Sequence, residues 1–499
     1  MMSFSGITSA ITRGIKRDYS KFHYFTSKLP LYSLSLISSN PDRIFNKLNL
    51  SFPSEYSIDL ISQSHIIVLK CSGKSVFIRN IPKILVSGSL SVQEQEELHG
   101  FSWISLLNLD ADKQWRLMIR NHIKFWISHF KLSDSIAWST SATSERLYNW
   151  IVQYNLISKT SDIKFNAMLM NSIMKQLKFL KRRMFLPLKM TEKTALLRAI
   201  AVAAVAINDV KTFSACLNEL QFYLKETASE KLTYSTQELL KILRNLVDIQ
   251  SVVLAQRRSV PSCVTDVMTK IATIIRQVRH PDGGISIFQS VFTPSVEYVD
   301  AVLSHVENIK FQNFSAGYLV LHAFEGETFI NLNNKYFPME FSSGVQRIIL
   351  GSSVYFADRD LCFSENAEIK HSITKEKNNS WFTGTSSFKI NDTDVNFEKT
   401  LYMNNLGTDI RCEEKLSDDS FEMVHYIVLP SDIEISPLEY QNGFFMDLKS
   451  GARWCWNFNK EVNLSFDFEK NGILNGRKLN FTLLTMTTDK KLRWSLKKI

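Results

Sequence analysis

The sequence predicts an α+β protein with two segregated domains, an N-terminal helical α/α toroid and a C-terminal antiparallel β-sandwich. Apolar residues recur at three and four positions from about residue 92 to 280, and they alternate with polar residues after about residue 312. Because the two patterns occupy separate halves, an alternating βαβ fold is excluded. A chain of 499 residues is also longer than a domain with a single hydrophobic core normally is, so two or three domains are expected.

Residues 1–90 are the least regular part of the chain. The stretch "SEYSIDLISQSHIIVLKCSGKSVFIRNIP" contains short apolar runs that indicate a few strands, so we predict a small strand-containing cap. The apolar piece "LPLYSLSLISS" is broken by serines and lacks a clear cleavage site, so no secretory signal is expected. A cytoplasmic location is the expectation, with the periplasm as the alternative.

Residues 91–300 are predicted to form the helical domain, with at least six amphipathic helices at roughly regular spacing. Four examples are "WRLMIRNHIKFWISHF", "SERLYNWIVQYNLI", "FNAMLMNSIMKQLKFL" and "STQELLKILRNLVDIQSVVLAQ". The most apolar helix, "TALLRAIAVAAVAI", contains Arg198 and is too short to cross a bilayer. No membrane span is therefore predicted.

Residues 312–499 are predicted to form the sandwich, with two packed sheets given their length. Stretches such as "SFKINDTDVNFEKTLYMNNLGTD" alternate between turn signals. Asn475–Gly476 and Thr488–Asp489–Lys490 are predicted to turn antiparallel hairpins.

The segment "RHPDGGISIFQS" places two glycines together in a chain that has only 17. It follows a predicted helix instead of a strand, which excludes a dinucleotide-binding loop. Pro281 cannot continue that helix, and the Asp-Gly-Gly sequence then favours a turn that redirects the chain toward the sheets.

The formal net charge of +10 favours a polyanionic partner. Because the basic residues are scattered and the densest runs, such as "KFLKRRMF", fall on helices, we predict an acidic polysaccharide or oligosaccharide and no nucleic acid. The six cysteines lie far apart without a CxxC pair, so they are interpreted as buried or incidental thiols of a reducing compartment. Nothing in the sequence indicates an oligomeric state.

Several pieces resemble, in order, the heparinase II/III-like proteins of bacteria, which pair a helical toroid with a C-terminal β-sandwich and include polysaccharide lyases. The matches cover roughly residues 100–499. They include "AWSTSATSERLYNWI", with Trp138, Arg146 and Trp150, and then "RHPDGGISIFQS", "MEFSSGVQRIILGSS", "NAEIKHSIT" and "GARWCWNF". The resemblance implies β-elimination on a uronic-acid-containing glycan, for which an active site needs a base, an acid and a group that neutralises the uronate.

The resemblance assigns these roles to an Asn and a Tyr of the toroid and a His of the sandwich, and the sequence departs at each place. Lys193 and Thr194 stand where lyases have Asn and His, and Tyr234 reaches the Tyr position only with a shift of several residues. Asn333 lies at the His position, while His322 lies about eleven residues upstream of that position.

The resemblance also implies a site for a divalent metal such as zinc, although no cofactor is predicted firmly. Only His371 remains of the metal-type positions, and a single imidazole is a weak zinc ligand. The candidate catalytic residues are Tyr234, His322 and Asn333, with His280 as a further acid or base. Two hypotheses remain open: a polysaccharide lyase that lacks much of the catalytic set, and a non-catalytic glycan-binding or scaffold protein that retains the fold.

Overall fold

The computed structural model divides into two compact units, one of helices and one of sheets. It describes residues 66–72, 74–107, 113–158, 161–227, 232–288, 292–308, 317–356, 368–391, 393–417, 423–430, 433–439, 442–459, 462–474, 477–488 and 491–499. Within these, the helical unit comprises residues 66–227, 237–273 and 297–308, and the sheet unit comprises 232–236, 274–296 and 317–499. The predicted fold class, helices first and antiparallel sheets second, is confirmed. The domain boundaries that the sequence predicts at residues 90, 300 and 312 remain predictions.

The helical unit begins with a hairpin of β1 (Ile66–Val68) and β2 (Ser75–Phe77), where the sequence predicted a strand-containing cap. The rest of that prediction lies in residues 1–65, outside the described chain. The helices are α1 (Ile81–Ser87), α2 (Val92–His99), α3 (Lys113–His129), α4 (Thr140–Val152), α5 (Tyr154–Ser158), α6 (Ile163–Lys181), α7 (Met190–Ala206), α8 (Val210–Glu226), α9 (Thr236–Ala255), α10 (Ser262–Gln277) and α11 (Val296–Leu303). None of the described helices is long and apolar enough to cross a membrane.

Arg146, which lies in the matched piece "AWSTSATSERLYNWI", has a structural role in the helical unit. Its guanidinium is buried, lies 3.8 Å from the centroid of the Trp126 ring, and donates to the carbonyls of Ala137 and His99 at 2.8 and 3.1 Å. It also donates to Gln176 Oε1 at 3.0 Å. A buried charge is tolerated when its donors are satisfied, so Arg146 links α4 to α6 and to the ends of two neighbouring segments.

Over the described residues the sheet unit has three sheets that share a large core, one sheet more than predicted. The strands are β3 (Tyr318–His322), β4 (Gly326–Asn331), β5 (Met339–Ser343), β6 (Gln346–Ile349), β7 (Gly351–Phe356), β8 (Glu368–Glu376), β9 (Asn379–Ile390), β10 (Thr393–Met403), β11 (Asp409–Leu416), β12 (Met423–Pro430), β13 (Ile433–Pro437), β14 (Gly443–Leu448), β15 (Arg453–Phe458), β16 (Asn463–Leu474), β17 (Arg477–Thr488) and β18 (Lys491–Lys498). They form an eight-stranded sheet in the order β13-β14-β15-β18-β11-β10-β9-β8 and four-stranded sheets in the orders β16-β17-β12-β7 and β3-β4-β5-β6.

The core of the sheet unit takes side chains from all three sheets, including Phe341, Phe382, Trp454 and Leu484. The additional sheet arises because the chain changes partners at Gly351, where β6 ends and β7 joins β12. A Cβ on Gly351 would lie 2.1 Å from the Phe288 carbonyl oxygen, so only glycine fits this close approach.

The two predicted hairpins have different outcomes. β16 and β17 pair as predicted, with Leu474 opposite Arg477, and the Asn475–Gly476 tip lies outside the described residues. The hairpin at Thr488–Asp489–Lys490 is wrong, because β17 pairs in a four-stranded sheet and β18 pairs with β11 and β15 in the eight-stranded sheet. Residues 489–490 are also outside the described chain.

Candidate functional site

The Asp-Gly-Gly turn is held to the sheet unit by an arginine of β6. Arg347 donates to both carboxylate oxygens of Asp282, at 2.9 and 3.0 Å, and to the Ile285 carbonyl at 3.0 Å. Gly283 has a φ of +85° and its pro-Cβ position lies 2.9 Å from Val296 Cγ1, so both backbone conformation and space require glycine. The predicted redirecting turn is therefore present, and it packs within the sheet unit.

His280, a predicted acid or base, lies at the centre of a buried polar cluster. Its Nδ1 is 2.6 Å from Ser342 Oγ, its Nε2 is 2.7 Å from Glu340 Oε2, and Ser286 Oγ is 3.2 Å from Nε2. Both the His280 and the Glu340 side chains are fully buried. A serine, an imidazole and a carboxyl group, the residue types of a hydrolytic triad, thus meet inside the protein.

Burial sets the protonation of this cluster. Burial, and then the nearby Arg347, hold the pKa of His280 well below its usual value. Burial raises the pKa of Glu340 to about 8, although Arg347 and the Phe288 amide oppose the shift. At neutral pH a protonated Glu340 therefore donates to a neutral His280. Since neither side chain reaches solvent, the cluster supports the fold and cannot receive a substrate in this conformation.

Tyr234 and Asn333 converge on one end of strand β3. The Tyr318 hydroxyl donates to the Tyr234 carbonyl at 2.7 Å, while its ring stacks on Phe288 with centroids 5.5 Å apart. The Asn333 side chain lies against Gly317, where a Cβ would be 1.8 Å from Asn333 Oδ1. Two of the three predicted catalytic residues, both half-buried, thus contact the start of β3, Tyr234 through its backbone carbonyl to Tyr318 and Asn333 through its side chain to Gly317.

His322 and His371 lie elsewhere in the sheet unit. His322 ends β3, about 13 Å along the strand from Tyr318, and its 68% exposed side chain is 3.0 Å from Glu327 Oε1. His371 is exposed on β8, the edge strand of the eight-stranded sheet. Among the described residues, no group of three or more His, Cys, Asp or Glu side chains could hold a metal ion. The residues around His371 therefore do not fit the zinc site that the resemblance implies.

Lys193 and Thr194, at the positions where lyases have Asn and His, are buried in the helical unit. The Lys193 ammonium donates to Glu219 Oε1 at 2.9 Å and to the Met184 carbonyl at 2.6 Å. Thr194 accepts a hydrogen bond from the Asn245 amide at 3.1 Å. An amide is thus present beside Thr194, supplied by α9, and sequence reasoning missed it. The only signal was Asn245 itself, one of three polar residues in "LRNLVDI".

A second group missed by sequence reasoning is an ionic cluster between α4, α7 and α9. Arg198 contacts Glu145 at 2.6 Å and Asp248 at 3.6 Å, and Arg244 pairs with Asp248. Arg244 also donates to the Tyr148 hydroxyl at 3.0 Å.

Protonation in this ionic cluster follows from the balance between burial and charge. Burial alone would raise the pKa of Glu145, but Arg198 and the half-exposed Lys241 lower it to about 2. Burial and the Asp248 carboxylate raise the pKa of Tyr148. Since the arginines are matched by carboxylates, the cluster ties three helices together.

The fold is similar to that of the heparinase III crystal structure, although no protein-family profile and no curated protein matches the sequence. The crystal structure of heparinase III is similar over 97% of this chain and 91% of that chain, with a TM-score of 0.60 and 12% identity. A mutant of the heparan sulfate lyase HepC from Pedobacter heparinus matches over 99% and 91%, with a TM-score of 0.43 and 11% identity. The chondroitin AC lyase of Streptomyces coelicolor A3, in complex with chondroitin sulphate, matches over 97% and 79%, with a TM-score of 0.44 and 8% identity. The chain therefore has a heparinase-like fold, a helical toroid followed by a β-sandwich, and this prediction is confirmed.

Proposed function

We propose that the protein is a polysaccharide-lyase-like protein that acts by β-elimination on a uronic-acid-containing glycan, with Tyr234 and Asn333 as its reacting pair. The observation that carries the proposal is that the Tyr234 backbone carbonyl and the Asn333 side chain contact the adjacent residues Tyr318 and Gly317, in a chain with the fold of heparinase III. The net charge of +10 favours an acidic substrate.

The chemistry assigns one role to each residue. Tyr234, as phenolate, removes the proton from the carbon next to the uronate carboxylate, and the electron pair left behind forms the carbon–carbon double bond. The glycosidic carbon–oxygen bond breaks, and the same Tyr234 hydroxyl returns the proton to the leaving oxygen. The Asn333 amide donates to the carboxylate, where negative charge accumulates in the transition state. Because the reaction uses the deprotonated tyrosine as its base, the rate should rise with pH.

The second candidate is a non-catalytic protein that binds an acidic glycan. It is favoured by the buried Lys193–Glu219 pair, which stands where active lyases have polar catalytic groups, and by the enclosure of His280. A lysine whose ammonium is fully buried against a carboxylate cannot neutralise the uronate of a bound sugar.

A product assay separates the two candidates. The protein would be incubated with heparin, alginate and chondroitin sulfate while the ultraviolet absorbance of the unsaturated uronate is followed. Tyr234→Phe should lower the rate by about 10²- to 10⁴-fold, as expected for loss of a general acid–base group. Tyr355→Phe, at an exposed tyrosine of β7, is the matched control and should leave the rate unchanged.

Equal rates for Tyr234→Phe and the unchanged protein would remove Tyr234 from the mechanism. Absence of product from every substrate, together with retained binding of one of them, would favour the non-catalytic candidate. Circular dichroism of each variant verifies that it is folded.

A further inference from the structure

The outer face of the eight-stranded sheet carries a continuous cross-strand row of polar and aromatic side chains. Trp381 on β9 lies opposite Tyr402, Tyr402 opposite Arg411, Arg411 opposite Ser495, and Ser495 opposite Asn457. Their neighbours along the strands, such as Leu401, Cys412 and Trp494, are buried in the core. The row therefore occupies one face across five strands and spans about 19 Å.

A second row runs beside the first on the same face. Thr400 lies opposite Glu413, and Glu413 lies opposite Arg493. Asn459 completes this row: its backbone N–H donates to the Arg493 carbonyl, its side-chain Nδ2 donates to the Lys491 carbonyl, and its Oδ1 accepts from the Arg493 amide. The two rows together line a hollow of ≈ 530 Å³. We call this surface the outer sheet face.

Two aromatic rings form a platform at one end of the outer sheet face. Trp381 is 39% exposed, and its ring centroid lies 4.6 Å from that of Tyr402 at an interplanar angle of 52°. The Arg411 guanidinium carbon lies 5.4 Å from the Tyr402 centroid. Exposed tryptophan and tyrosine rings offer a rigid apolar surface next to hydrogen-bonding groups, which suits the apolar faces and hydroxyls of a sugar ring.

The charges around this platform favour an anion. Lys497 and Arg411 lie 3.9 and 2.7 Å from Asp409, while Lys491 and Arg493 both lie 2.6 Å from Glu413. Four cations thus surround two carboxylates, and two positive charges remain in excess.

Arg411 also keeps donors for a ligand. Its Nε and Nη2 bond Asp409, which leaves Nη1 without a hydrogen-bond partner among the described residues. A guanidinium in this state can donate from Nη1 to a carboxylate or sulfate oxygen.

We infer that the outer sheet face binds a segment of an acidic oligosaccharide, with one sugar ring on Trp381 and Tyr402 and its carboxylate or sulfate groups at Arg411 and Arg493. An ordinary solvent-exposed strand surface without a ligand would be sufficient to explain the two groups of ion pairs. It does not explain an exposed tryptophan packed against a tyrosine in the same hollow. This site uses none of the residues assigned to elimination, so it goes beyond the proposed reaction and does not depend on it.

Binding to immobilised heparin, alginate and chondroitin sulfate tests the inference, with amylose as the uncharged control polymer. Trp381→Ala and the double variant Arg411→Ala/Arg493→Ala should each weaken binding to at least one acidic polymer by about tenfold or more, as for an interface anchor. Phe324→Ala removes a more exposed aromatic ring outside the face, and Lys83→Ala removes an exposed cation of the helical unit; both should bind normally.

Unchanged binding by Trp381→Ala would overturn the inference, and so would equal losses in the Lys83→Ala control, which would indicate diffuse charge attraction. Loss of folding is excluded by comparing the thermal unfolding midpoint of each variant. Binding and product formation are measured separately, so a failure of the elimination proposal does not change how the binding result is interpreted. Conversely, the protein could form product while Trp381→Ala binds the polymers as tightly as the unchanged protein. That result would support the proposed reaction and contradict glycan binding at the outer sheet face.

Discussion

Replacing Glu340 by glutamine should remove a pH dependence of stability that this single carboxyl group imposes. In the folded protein burial raises the pKa of Glu340 from 4.5 to about 8. Its stabilising contribution is thus complete below pH 4.5 and is lost as the pH rises through about 8, because the unfolded chain releases the proton more readily. Between pH 7 and pH 9 the two pKa values predict a loss of about 1.4 kcal/mol. His280 does not obscure this window, since an imidazole with a lowered pKa is largely neutral in both states there.

The glutamine variant keeps the hydrogen bonds of the protonated acid. Its amide nitrogen can donate to His280 Nε2, and its oxygen can accept from the Phe288 amide, as Glu340 does. When the pH rises from 7 to 9, the thermal midpoint should therefore fall by about 3–6 °C less in Glu340→Gln than in the unchanged protein. Glu340→Ala is the contrasting variant, because it leaves the Phe288 amide and His280 Nε2 buried without this partner and should cost about 2–6 kcal/mol at pH 7.

Calorimetry of the three proteins at pH 7 and pH 9 measures both effects, and the difference between variants cancels the titration of all other groups. An equal loss between the two pH values in Glu340→Gln and in the unchanged protein would contradict the raised pKa of Glu340. Equal destabilisation of the glutamine and alanine variants at pH 7 would contradict the hydrogen bonds assigned to the protonated Glu340.

Two further predictions concern buried cations of the helical unit. Lys193→Met should destabilise the protein by about 3–5 kcal/mol because it leaves the Glu219 carboxylate buried without its ammonium, and adding Glu219→Met should restore most of the loss in the thermal midpoint. Arg146→Lys should cost about 2 kcal/mol or more, since an ammonium cannot reach the Ala137 and His99 carbonyls and Gln176 while covering the Trp126 ring. Urea unfolding measures this loss, and an unchanged midpoint would contradict it.

The elements were predictable because their signals are local, whereas the site depended on contacts that periodicity does not report. The amphipathic stretch beginning at residue 165 forms α6, and the alternating stretch beginning at residue 393 forms β10. Alternation also places Glu340, between Met339 and Phe341, on a solvent-facing side. In the structure β5 is covered on both faces, so Glu340 is buried and pairs with His280, sixty residues away. Residue type alone made His280 a candidate acid or base, and its enclosure could not be deduced from its neighbours in sequence.

The failed hairpin at Thr488–Asp489–Lys490 has a related cause. Turn chemistry predicts that the chain changes direction, but it does not determine which strand the next one pairs with. β18 pairs with β11 and β15, and its register places Arg493 opposite Glu413 and Ser495 opposite Arg411. The outer sheet face is thus assembled from strands distant in sequence, which explains why no motif indicated it.

The distribution of charge separates stability from binding in this protein. Buried cations such as Lys193, Arg244 and Arg347 are each matched by a carboxylate, so they add little to the field outside the protein. The excess positive charge that an acidic glycan would meet is therefore carried by exposed side chains, of which Arg411 and Arg493 are two. It follows that substitutions of the buried pairs should shift the unfolding midpoint and leave affinity for acidic polymers unchanged. Substitutions on the outer sheet face should have the reverse effect, because exposed ion pairs contribute little to stability.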